Sequence, residues 1–73
     1  MEGYTIQLFW DSEAGVWLAT SKDIQGLVLE ADSLDKVVQK TLLAVPELIK
    51  LNNLDKKSDI YFNYNRHERV ALA

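Results

Sequence analysis

Three observations predict an α+β two-layer fold with the element order β-β-β-α-β. The first thirty residues hold three short runs that read as strands, separated by turn residues. From Leu34 onward, apolar residues recur at helical spacing behind an Asp32-Ser33 start signal. After a polar loop, a last alternating run reads as a fourth strand.

The first strand is expected over Tyr4 to Trp10. Tyr4, Ile6, Leu8 and Trp10 share one face, and Thr5, Gln7 and Phe9 share the other. Asp11-Ser12-Glu13-Ala14-Gly15 is a turn: Asp11 favours turn initiation, and Gly15 reaches positive φ at little steric cost. Val16 to Ser21 is the second strand, closing a hairpin. Lys22-Asp23-Ile24-Gln25-Gly26 is a connector punctuated by Gly26. Leu27 to Glu30 is a short third strand, antiparallel to the second.

The helix begins at Asp32-Ser33, where either side chain can accept from the free N–H groups of the first turn, and Asp35 suits that positive end. Leu34, Val37, Val38, Thr41, Leu42 and Val45 form one apolar stripe. Pro46 lacks an N–H and disfavours helical geometry at Val45, so the helix is expected to end or kink near Ala44 to Val45. A short segment, Pro46 to Leu51, restarts with proline at its first position and extends the apolar surface through Leu48, Ile49 and Leu51. Asn52 to Lys57 is a polar loop, and Asp59 to Tyr64 is the fourth strand. Arg66 to Ala73 is open to three readings: strand extension, helical turn or frayed end. If the fourth strand lies parallel beside the first, a right-handed crossover gives a mixed sheet of order 3-2-1-4 with one helix on one face.

Length and composition narrow the functional classes. Seventy-three residues, 48% of them hydrophobic, make a single domain with one core over residues 1–73. No apolar run approaches the roughly 20 residues that span a bilayer, and the N-terminus has no basic region followed by an apolar stretch. A cytoplasmic protein is expected. The absence of cysteine excludes disulfides, thiolate metal sites and a cysteine nucleophile. The net charge of −3, with dispersed cations, argues against direct DNA binding and suits a basic protein partner.

One helix covers only one face of a sheet. Ile6 with Leu8, Leu27 with Leu29 and Ile60 with Phe62 are expected to face it. The second strand is apolar on both sides, with Val16 and Leu18 on one and Trp17 and Ala19 on the other, while Phe9, Val28 and Tyr61 fall opposite their strands' core sets. The candidate partner-binding surface is therefore Phe9, Val16, Leu18, Val28 and Tyr61, because contiguous exposed apolar area marks interfaces. Self-association through that face or through a sheet edge is also expected, giving a homo-oligomer.

The stretch from Trp10 to Leu34 carries a recognisable order of features. An acidic hairpin turn precedes an aromatic-x-Ala strand (Trp17, Ala19) and a connector ending in glycine (Asp23-Ile24-Gln25-Gly26). A short strand then leads through Glu30-Ala31-Asp32-Ser33 into the helix, which ends Pro46-Glu47-Leu48-Ile49-Lys50-Leu51-Asn52. This pattern resembles the N-terminal domain of the HicB-like antitoxin superfamily, in a short single-domain branch, over Tyr4 to Asn52. The resemblance implies a partial ribonuclease H-like fold. It also implies a non-enzymatic role, the neutralisation of a small, basic, RNA-cleaving toxin of the HicA type. Longer relatives add a DNA-binding segment, which does not fit in the eight residues from Arg66 to Ala73, so autorepression is not expected.

Asp11, Glu13, Asp23, Glu30, Asp32 and Asp35 are the candidate carboxylates for a ribonuclease H-type metal cluster, but turn and cap chemistry accounts for them. His67, beside Arg66 and Arg69, is the sole imidazole and lies near a terminus. No catalytic residue, metal or cofactor is expected. A nucleic-acid-binding role through Lys56, Lys57, Arg66 and Arg69 is the alternative, with base stacking on Trp10, Trp17 or Phe9 lacking flanking cations. A stand-alone homo-oligomeric module is a further one.

Overall fold

The computed structural model describes residues 3–54 and 59–65. Strands β1 (Tyr4–Asp11), β2 (Val16–Thr20) and β3 (Val28–Ala31) precede one helix, α1 (Leu34–Leu51), and strand β4 (Ile60–Asn65) follows it. The sheet order is β3-β2-β1-β4. β1 pairs antiparallel with β2 and parallel with β4, and β2 pairs antiparallel with β3. This is the α+β architecture and strand order that the sequence predicts.

The register sorts the side chains. Trp10 faces Trp17, which faces Ala31; Leu8 faces Ala19, which faces Leu29. On the other side of β1, Tyr4 faces Ile60, Ile6 faces Phe62 and Leu8 faces Tyr64. These residues share the helix side. Tyr4, Ile6, Leu8, Ala19, Ala31, Val37 and Val45 form the buried core with Ile24 and Leu27. Thr41 is buried among them, and its hydroxyl donates to the Val37 carbonyl at 2.8 Å, so the buried oxygen is satisfied.

The helix does not end at Pro46. It runs 18 residues with Pro46 inside. An interior proline costs a helix about 3 kcal/mol because it removes a hydrogen bond and crowds the preceding turn. The helical course is retained because Val45 is buried on one side of the proline and Leu48 and Ile49 pack against the core on the other. An early stop would expose all three. Leu42 also departs from expectation: its side chain is half exposed, because at about 100° per residue it falls on the flank of the Val37–Thr41–Val45 line.

Both helix ends are capped. Ser33, rather than Asp32, is the N-cap, its Oγ accepting from the Lys36 N–H at 3.2 Å. At the other end Asn53 takes φ 53°, the Asn53 N–H donates to the Lys50 carbonyl, and the Leu54 N–H donates to the Ile49 carbonyl. That is a Schellman arrangement with asparagine in the left-handed position. Leu54 then packs against the core.

The segment read as a plain connector is a structural clamp. β2 ends at Thr20, which pairs with Gln7, so the ladder to β1 stops short of Thr5. Side chains take over. The Thr5 N–H donates to Asp23 Oδ2 at 2.7 Å, and Ser21 Oγ donates to the Thr5 carbonyl at 2.7 Å. The same hydroxyl accepts from the Asp23 and Ile24 N–H groups, which uses its full hydrogen-bonding capacity. This turn drives Ile24 into the core, where it is fully buried. Gly26 follows at φ 88°, and the Gln25 carbonyl accepts from Asn52 Nδ2 at 3.0 Å, tying the connector to the helix end.

Candidate functional interface

The sheet side away from α1 is built from alternate strand positions. Thr5, Gln7, Phe9 and Asp11 come from β1, Val16, Leu18 and Thr20 from β2, Val28 and Glu30 from β3, and Tyr61, Asn63 and Asn65 from β4. All five candidate residues, Phe9, Val16, Leu18, Val28 and Tyr61, therefore share this face. Phe9 stands opposite Leu18, and Asp11 stands opposite Val16. Phe9, Val16 and Leu18 are half-buried by their neighbours, whereas Val28 is 70% exposed and Tyr61 36%.

The electrostatics of the face are one-sided. Its charged strand positions among the described residues are Asp11 and Glu30, both acidic, and Glu30 lies directly opposite Leu18. Asp11 also organises the hairpin: Oδ1 accepts from the Glu13 and Ala14 N–H groups, and its carbonyl accepts from Gly15, which sits at φ 69°. Lys40, which would offset Glu30, donates its ammonium to the Glu30 carbonyl at 2.9 Å from the helix side. At the β4 end, Gly3 passes under the Tyr61 ring. A Cβ there would lie 2.6 Å from Tyr61 Cε2 and 2.8 Å from the Asp59 carbonyl, so glycine is required by close approach.

The tryptophans are elsewhere. Trp10 and Trp17 lie on the helix side with ring centroids 5.8 Å apart and tilted by 58°, and Trp17 packs against the core. Of Phe9, Trp10 and Trp17, Phe9 alone stands on the open face. The carboxylates stay apart: Asp11 works in the hairpin turn, Asp23 in the clamp, and Asp32 in an exposed ion pair with Lys36 at 3.1 Å. Among the described residues no group of three metal-ligating side chains comes together. Lys56, Lys57, Arg66, His67 and Arg69 lie outside the described residues. No helix among the described residues is long and apolar enough to cross a membrane.

The helix covers less of its own side than one layer on one sheet suggests. It packs over β2 and β3. Ile60 and Phe62 on β4 are half-buried, and Tyr64 is 60% exposed although it faces the helix side. Alternation alone does not reveal this, since it assigns a face and not the reach of the helix across it.

A family model described as a domain of unknown function, DUF1902, matches residues 3–72. The chain belongs to this family. The DUF1902 chain is also similar to the crystal structure of a hypothetical protein from the extremely thermophilic bacterium Thermus thermophilus. Identity is 31%, the TM-score is 0.75, and the match covers 96% of this chain and 99% of that one. No curated protein matches the sequence. The shared fold thus extends over nearly the whole length of both chains.

Proposed function

We propose that this DUF1902 protein is a non-enzymatic protein-binding module that receives a small basic protein on its open sheet face. The observation that carries the reading is the composition of that face: Phe9, Val16, Leu18, Val28 and Tyr61 stand together with Asp11 and Glu30, and no strand position there is cationic among the described residues. Apolar side chains supply the contact energy of an interface, and complementary potentials steer the partner and set its orientation. The overall charge of −3 adds to the same preference.

The resemblance to HicB-like antitoxins gives the partner a chemical identity. It is a basic, RNA-cleaving toxin of the HicA type, held in the cytoplasm with its active surface covered. The module itself performs no catalysis and needs no cofactor or metal. The test is titration calorimetry against the product of the adjacent reading frame, which this reading expects to be a small basic protein, with an RNA-cleavage assay of that product alongside. Binding that quenches cleavage and weakens at least about tenfold in Leu18→Lys supports the reading. Binding unaffected by Leu18→Lys and Val28→Lys together overturns it.

A further inference from the structure

The two edges of the sheet are treated differently. β3 is four residues long, carries Glu30, and has the Glu30 carbonyl occupied by the Lys40 ammonium. Short length, charge and a covering lysine are the usual means of blunting an edge. Among the described residues, β4 has none of them. Its six residues, Ile60-Tyr61-Phe62-Asn63-Tyr64-Asn65, contain no charge, proline or glycine. Among the described residues it is the terminal strand of the sheet beside β1.

The backbone direction of β4 follows from its first bond. The Tyr4 N–H donates to the Asp59 carbonyl at 3.1 Å, with Tyr4 in register with Ile60. In a parallel ladder a residue bonds the neighbours on either side of its partner. Asp59, Tyr61, Asn63 and Asn65 therefore turn their backbone groups toward β1. Ile60, Phe62 and Tyr64 turn theirs outward. Those same three residues carry the side chains that α1 leaves half-covered or exposed.

We propose that β4 pairs with β4 of a second copy, antiparallel across a twofold axis at Phe62, making one continuous eight-stranded sheet. This register sets Phe62 against Phe62 of the second copy and Ile60 against Tyr64 of the second copy. Each outward N–H and C=O of the strand then meets its counterpart, with two hydrogen bonds at every facing pair. Facing residues of an antiparallel pair share a sheet face, so this register keeps both helices on one side of the joined sheet. It also covers Tyr64 with an isoleucine. A second copy fits better than an unrelated strand because the edge is self-complementary in hydrogen bonding, uncharged and of equal length on both sides. The open face remains free, so this dimer does not depend on the proposed basic partner.

The experiment is sedimentation equilibrium on the full chain, wild type and Tyr64→Pro. The Tyr64 N–H points away from β1, so proline there spares the internal ladder and removes an edge donor. The expected result is a wild-type dimer and a Tyr64→Pro monomer with native circular dichroism. Cysteine cross-linking covers the case in which that variant misfolds. The chain has no cysteine, and facing hydrogen-bonded residues stand about 5.5 Å apart at Cα, inside disulfide range. Phe62→Cys should thus yield an oxidised covalent dimer, and Gln39→Cys on the helix should not. A wild-type monomer at high concentration overturns the proposal. So does a dimer that dissociates with Leu18→Lys but survives Tyr64→Pro.

Discussion

The two faces of the sheet are made from the same strands, residue by residue in alternation, yet they are buried to different degrees. Leu8 is fully buried beneath the helix, and its neighbour Phe9 stands on the open side. Ala19 lies in the core, and Leu18 faces out beside it. Apolar content does not separate the faces, because both are rich in it. What separates them is the helix, whose Val37, Thr41 and Val45 complete one face, while among the described residues no second layer covers the other. Burial is thereby concentrated on the helix side.

The largest test of that asymmetry is a matched pair of truncations. Leu8→Ala leaves a cavity in a close-packed core and should lower unfolding free energy by about 2–5 kcal/mol. Leu18→Ala, on the open face, should cost less than half as much. Urea denaturation of both variants measures the difference. Equal losses would mean that the open face is a second core.

Next in size is the clamp. Ser21→Ala removes one oxygen that serves the Thr5 carbonyl and two N–H groups, and it frees the turn that seats Ile24. A loss of about 1–3 kcal/mol is expected from the partners left unmatched. Hydrogen exchange should show it first at the Asp23 and Ile24 amides, ahead of those in the middle of β1. Uniform loosening across the sheet would show that the clamp is not a local device.

Much of this asymmetry is legible in the sequence. Period-two alternation places Phe9, Val28 and Tyr61 opposite Ile6, Leu8 and Phe62, and the structure sets them there. The Asp11 turn and the helix start at Asp32-Ser33 are readable because each depends on local hydrogen bonds, although the choice of Ser33 over Asp32 as cap is not. The clamp is not, since Ser21 and Asp23 act on Thr5, 16 and 18 residues away, and no local pattern encodes that partner. Ile24 reads as a lone apolar residue in a polar connector for the same reason. The helix runs longer than its sequence suggests because proline is a local signal, whereas the burial of Val45, Leu48 and Ile49 that carries the helix past it is tertiary. The incomplete cover over Tyr64 depends on where the helix lies across the sheet, which spacing does not specify.

A smaller effect separates the helix start from the faces it serves. Ser33→Ala should cost about 1 kcal/mol through the lost bond to the Lys36 N–H. The accompanying Lys36–Asp32 pair is exposed at both ends, and Lys36→Ala should change stability by less than about 1 kcal/mol. Thermal melts of both variants at low and high salt distinguish the two contributions. The cap loss persists in salt, and the ion-pair loss fades.

A small expected change in stability accompanies the largest expected change in binding. Leu18→Lys puts an ammonium opposite Glu30 on the adjacent strand. Opposite charges facing across a ladder gain about 0.2–1 kcal/mol, which offsets part of the apolar area lost from a half-buried site. Unfolding free energy should therefore move by no more than about 1 kcal/mol. The same substitution introduces a cation at the centre of a face whose charged strand positions are otherwise acidic, so the potential that steers a basic partner is reduced where contact is made. Stopped-flow association should slow, and the remaining rate should depend less steeply on ionic strength than the wild-type rate does. A variant that keeps its melting temperature and loses the partner would place recognition on the open face independently of the core. One that loses both together would show that the two faces share a single energetic unit.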